Sequence, residues 1–203
     1  MPRSADSDSA RELSDRPIAL MRQPHRREPS GRRAPKVFAV VLASIGAVAT
    51  SFAAGLRINL TGSIPPGVYQ ITHSPVVCGA IVLMCLPEPV AAFAKARGFI
   101  PRGSCTDGSA PIGKTVAAVA GDTIDVISSG IAVNGRALPN SRPLVRDSDN
   151  RPLPSLARGR YVAGTGTVWL VSSYSTRSFD SRYFGAVPVD HIIARIRPIL
   201  QLP

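Results

Sequence analysis

The sequence predicts a mainly β, loop-heavy domain carried behind one N-terminal apolar helix. Three observations lead there. Among 203 residues, 17 Gly and 19 Pro with only 5% aromatics imply many turns and disfavour a helical bundle. Residues 37–56 carry no charge. Beyond them, short apolar or alternating runs recur, punctuated by Gly, Pro and Asn. The hydrophobic share of 44% suffices for a packed core, and the length fits one ordinary domain with accessories.

Taken in order, residues 1–36 are polar and rich in Arg, Ser, Asp and Pro, with nine basic and five acidic side chains. Such a segment cannot bury enough apolar surface to offset its ordering entropy, which predicts a disordered basic tail. Residues 37–56 would rise about 30 Å as a helix, the thickness of a hydrocarbon core. The preceding Arg22, Arg26, Arg27, Arg32, Arg33 and Lys36 would keep the tail cytoplasmic and send residues 57–203 across the membrane. A cleaved secretory signal is the alternative, since Ala47-Val48-Ala49 offers small residues at a cleavage-like spacing. Either way the domain is exported.

The formal charge of +11 does not make a nucleic-acid binder. The basic residues of 57–203 are scattered and lack interleaved aromatics on which bases would stack, so no nucleic acid is expected as partner. Anionic lipid headgroups suit the charge equally well.

In the exported part, 80–86 is a short apolar run ending at Pro87, and 115–120 follows a Gly-Lys. Residues 123–127 alternate, and 131–133 runs into Asn134-Gly135, a strong hairpin dipeptide. Residues 166–172 and 189–196 read as strands, 90–97 as a short Ala-dense helix, and 139–159 as a long surface loop or flap. Cys78, Cys85 and Cys105 lie where disulfides can form; Cys85–Cys105 is the preferred pair, with three reduced thiols as the alternative.

The histidines, His25, His73 and His191, are far apart, and no H-E-x-x-H, paired C-x-x-C, G-x-S-x-G or Walker loop occurs. No metal site or cofactor is expected. Three other segments can do chemistry. In 59–69, Ser63 follows Gly62 and is held by Pro65 and Pro66 in a rigid turn, the presentation a nucleophile needs. An incidental serine in a membrane-proximal turn fits the same residues. In 111–122, Lys114 sits at the edge of an apolar strand; an ordinary lysine is neutral in only about one copy in 2500 at pH 7, and burial lowers its pKa. Such an amine could act as general base without histidine, or it could simply snorkel to water. In 178–185, Ser178, Asp180, Ser181 and Arg182 are crowded together, so an Asp180–Arg182 pair could fix the turn while Ser178 orients the amine.

These three segments, in this order after an apolar span, resemble the conserved boxes of bacterial type I signal peptidases. Gly62-Ser63-Ile64-Pro65 is similar to the nucleophile box, and Lys114 with Gly121-Asp122 to the general-base box. Residues 178–185 are similar to the C-terminal box. The Pro65-Pro66-Gly67-Val68-Tyr69 continuation, the Cys85-Leu86-Pro87 and Gly103-Ser104-Cys105 stretches, and Ser178-Phe179-Asp180 resemble the conjugative-transfer, TraF-type branch. Two departures stand out: Thr115 follows the lysine where many members have Arg, and Ala120 replaces the usual Pro.

The resemblance implies a signal-peptidase/LexA-like fold of coiled antiparallel β-sheets with one N-terminal transmembrane helix. It implies Ser63 as nucleophile, Lys114 as base, and Ser178, Asp180 and Arg182 in support. The oxyanion hole would use the Ser63 N–H and the Thr61 hydroxyl. It further implies a single-pass inner-membrane protein with its catalytic domain in the periplasm. The partner would be an exported precursor with small residues near the cleavage site, such as a pilin. A self-cleaving repressor on the same scaffold and a non-enzymatic assembly protein of the transfer apparatus are the rival readings; the export signal and the absence of a helix-turn-helix argue against the repressor.

Overall fold

A computed structural model describes residues 34–202. The expected disorder of 1–36 therefore falls outside the described residues up to position 33, whereas 34–36 open the first helix. That helix, α1 (Ala34–Ala53), starts and stops three residues before the expected span. Pro35 favours an early start, because its missing N–H and fixed φ suit a first helical turn. Gly55, at φ 79°, ends it, and Leu56 passes into a strand. Thr50 and Ser51 donate back to the carbonyls of Gly46 and Ala47 (2.7 and 2.8 Å), so neither hydroxyl needs water. The helix is long and apolar enough to cross a membrane.

The rest is mainly β and antiparallel throughout. In one sheet lie β1 (Leu56–Asn59), β2 (Gly67–Thr72), β3 (Ile81–Met84), β4 (Ile112–Ala118), β9 (Thr167–Leu170), β10 (Val187–Pro188) and β11 (Ile192–Gln201), in the order β1-β2-β11-β3-β4-β9-β10. A second sheet takes β5 (Thr123–Ile127), β6 (Gly130–Val133), β7 (Arg136–Ala137) and β8 (Gly159–Val162), in the order β7-β6-β5-β8. Two short helices interrupt them, α2 (Glu88–Ala96) after Pro87 and α3 (Ser181–Phe184).

Period-two burial explains the layering. In β9, Val168 and Leu170 enter the cluster beneath α2 with Val82, Met84 and Val116. Trp169, between them, enters a second cluster with Ile124, Val126 and Ile131 of the other sheet. A third, small cluster of Ile64, Tyr69 and Ile196 lies at the turn between β1 and β2. The 134–135 turn has positive φ at both residues (50° and 79°), the geometry that matches strand twist in a two-residue hairpin.

Two expected strands shift. Residues 189–191 form a 3-10 turn, and the strand begins at Ile192. More consequential for the site, β4 begins at Ile112, so Lys114 is inside the strand, paired with Val82, and not at its edge. The loop expected over 139–159 is present apart from one bridge between Arg146 and Pro152; β8 takes over at Gly159.

Candidate active site

Ser63 projects from the turn between β1 and β2, a connection that β2 and β11 hold against the body of the sheet. Alternation along β4 and the pairing with β3 bring Lys114 to the same place. Its side chain is almost wholly buried, and Nζ donates to Ser63 Oγ at 2.7 Å and to Ser178 Oγ at 2.6 Å. Ser178 Oγ also lies 3.3 Å from Ser63 Oγ, closing a triangle of three polar atoms. Burial pushes the Lys114 amine down to about 8; Asp180 opposes that shift, and Arg182 adds slightly to it. At pH 7 about one amine in ten is then neutral, a gain of more than two orders of magnitude over an exposed lysine.

Gly113 makes the approach possible. A Cβ built there would meet Ile64 Cδ1 at 2.8 Å, so the absence of a side chain lets Ile64 seat directly beside the lysine strand.

Asp180 and Arg182, both buried, form a two-pronged pair, Nε to Oδ1 and Nη2 to Oδ2, each 2.8 Å. Asp180 also caps α3 by accepting from the Arg182 N–H. The guanidinium donates to the carbonyls of Asn140, Arg142, Ser175, Thr176 and Ser178, and so ties the 140–142 and 175–178 loops together. Neither residue bonds to Lys114; the pair holds the backbone from which Ser178 reaches it.

The expected oxyanion donors differ in state. Among the described residues, the Ser63 N–H has no acceptor. The Thr61 hydroxyl gives its one proton to Asn59 Oδ1 (2.7 Å), so it can serve an oxyanion only after that bond opens. Cys85 and Cys105 are joined in a disulfide, and Cys78 is free and exposed. The bridge pins the 97–111 loop, which lines a cleft of about 580 Å³ at Ser63. Phe99, Ile112, Leu144 and Leu153 supply apolar walls, and among the described residues no histidine lines it. Among the described residues no cluster could hold a metal ion.

Three residues that the sequence left without a role belong to the site. Ser172 is buried and donates to the Ser63 carbonyl at 2.7 Å while its N–H reaches Asp180 Oδ2 at 3.0 Å. Tyr69 donates to the Pro65 carbonyl at 2.6 Å. Asn59 bonds along the turn that carries Ser63. Asn59 and Tyr69 stood at the two ends of a stretch already singled out, 59–69, but nothing in their local spacing marks what they hold.

With this geometry in place, comparison with known proteins is decisive at the family level. The model of the signal peptidase family, peptidase S26, matches residues 32–200. The chain belongs to that family. It is 41% identical over 165 residues to a plasmid transfer protein TraF of Escherichia coli, covering 79% of this chain and 93% of the relative. It is 36% identical to a probable conjugal transfer protein TraF of Sinorhizobium fredii (strain NBRC 101917 / NGR234), covering 79% and 85%. A signal peptidase I of Enterococcus faecalis V583, known from its crystal structure, is similar with a TM-score of 0.37 and 16% identity, covering 62% of this chain and all of that one.

Proposed function

We propose that this S26 member is a membrane-anchored serine endopeptidase that processes exported precursors with a Ser63–Lys114 dyad. The observation that carries the reading is a buried lysine amine 2.7 Å from a serine hydroxyl in a cleft. In the neutral form the amine no longer needs to donate to Ser63; the Ser63 O–H donates to it instead. As Oγ bonds to the substrate carbonyl carbon, its proton passes to Nζ. The oxyanion is met by the Ser63 N–H. Collapse breaks the C–N bond, Lys114 returns the proton to the departing amine, and an ester on Ser63 remains. Water then releases the acid, or an amine of the same chain captures the acyl group and closes a ring.

The transfer names of the relatives support a conjugative pilin or another transfer protein as substrate. The α1 helix supports a single-pass anchor, with the tail in the cytoplasm and the catalytic domain in the periplasm. A scaffold role without catalysis would leave the 2.7 Å contact and the burial of Lys114 without purpose.

Membranes carrying wild type, Ser63→Ala or Lys114→Ala would be given a candidate pilin precursor, and the products weighed by mass spectrometry. Conversion by wild type alone is the expected result, with the product mass separating a cut chain from a closed ring. Equal conversion by all three would overturn the reading.

A further inference from the structure

The turn that presents Ser63 has almost no hydrogen bonds of its own. Among the described residues no backbone–backbone bond of ordinary hydrogen-bond geometry joins any two of residues 60–66, where only a loose turn forms at Gly62-Ser63, and Pro65 and Pro66 have no N–H to give. Its shape is supplied by side chains. Asn59, the last residue of β1, donates from Nδ2 to the carbonyls of Thr61 (3.1 Å), Ile64 (3.1 Å) and Pro65 (3.2 Å). Its Oδ1 accepts from the Thr61 N–H (3.2 Å) and hydroxyl (2.7 Å). Two amide hydrogens are thus shared among three carbonyls that flank Ser63 on both sides in sequence. The partners dictate the chemistry: the Thr61 N–H needs an acceptor and the carbonyls need a donor, and a side chain of this length offers both only as an amide.

We propose that Asn59 is the positioning residue that sets Ser63 Oγ against Lys114. Lys114 comes from a distant strand, so the 2.7 Å contact depends on the turn keeping its shape. Tyr69 holds the far end at Pro65, and Ser172 holds the Ser63 carbonyl. Among the described residues, Asn59 alone grips both sides of the nucleophile. The inference rests on the peptidase reading given above.

The isosteric Asn59→Asp separates positioning from space-filling. It keeps the acceptor toward Thr61 but turns a carboxylate oxygen toward three carbonyl oxygens. The test uses the full chain in detergent micelles, with wild type, Asn59→Asp, Asn59→Ala and Ser63→Ala. The readout is the rate of covalent labelling by a fluorophosphonate, located by peptide mass mapping and followed against reagent concentration and pH. Wild type is expected to label at Ser63 and Ser63→Ala not at all. Both Asn59 variants should lose about 100-fold in the limiting rate, the scale of an ångström misplacement. Their half-saturating reagent concentration and the midpoint of their pH profile should stay put, and the loss in rate should far exceed any fall in the folded fraction. Wild-type labelling by Asn59→Asp overturns the proposal, as does a loss that follows only the unfolded fraction. Failure of wild type to label at any pH overturns the peptidase reading itself, and the positioning role with it.

Discussion

Lys114 Nζ and Ser63 Oγ lie 2.7 Å apart although 51 positions separate them in the chain, and the amine is almost wholly withdrawn from water. Burial works on the lysine in two ways. It makes the neutral amine accessible near physiological pH, and it makes the protonated amine unfavourable for the fold.

The first effect sets a pH profile. With Lys114 held down to about 8, processing should rise about tenfold per pH unit below that value and level off above it. Initial rates between pH 6 and pH 10 check this. Lys114→Arg should be inactive throughout, since a guanidinium stays protonated over the whole range.

The second effect is a stability signature. A lysine whose pKa is lowered in the folded state disfavours folding below that pKa, and the penalty fades as pH rises from about 8 toward the unfolded value near 10.5. Wild type should therefore gain stability relative to Lys114→Met across that window, by about 3 kcal/mol at most. Chemical denaturation of both proteins at pH 7 and pH 10 measures the difference, and the opposite sign would contradict a buried, shifted amine.

The Asp180–Arg182 pair is a stability element that also serves the site. Asp180→Ala leaves a buried guanidinium uncompensated and should lower stability by about 3–5 kcal/mol. Arg182→Lys should also be damaging, because an ammonium cannot reproduce the two-pronged bond and the carbonyl contacts. Thermal melts of both, with processing rates taken well below the transition, check the order. A change of less than about 1 kcal/mol in each would place the pair outside the framework.

Gly113→Ala probes the seat of the nucleophile turn. The new methyl falls 2.8 Å from Ile64 Cδ1, the mobile end of that side chain, so the fold should survive while Ile64 and the adjoining Ser63 move. Processing should fall roughly tenfold or more, within the range of a sub-ångström to ångström displacement. Ile64→Val in the same chain removes Cδ1 and should restore part of the rate.

How far the sequence could be read follows from the range of each interaction. Ser63, Lys114 and Ser178 sit in short segments whose local chemistry is unusual, and a family resemblance put those segments in order. The hairpin at Asn134-Gly135 was legible because two consecutive positive φ angles favour that dipeptide. Leu56–Asn59 was hidden because its first residue continues the apolar run of the helix, and only Ala54 and Gly55 separate the two. Residues 189–191 were drawn into a strand because Val189 is apolar and the turn there carries no glycine. Ser172 escaped notice for a different reason. Ser172 meets Ser63 across 109 positions, a contact that exists only once β9 lies against β4. Thr61 was expected to face an oxyanion, and a neighbouring amide two residues away holds its proton.

The dyad itself is tested most directly by trapping the acyl-enzyme. Wild type mixed with a precursor it processes would be quenched in acid within one turnover, digested and mapped by mass spectrometry. The result expected is a substrate acyl group esterified to Ser63, absent in Ser63→Ala and not accumulating in Lys114→Ala. Processing that proceeds at the wild-type rate in Ser63→Ala, or an acyl group found on another residue, would contradict the account.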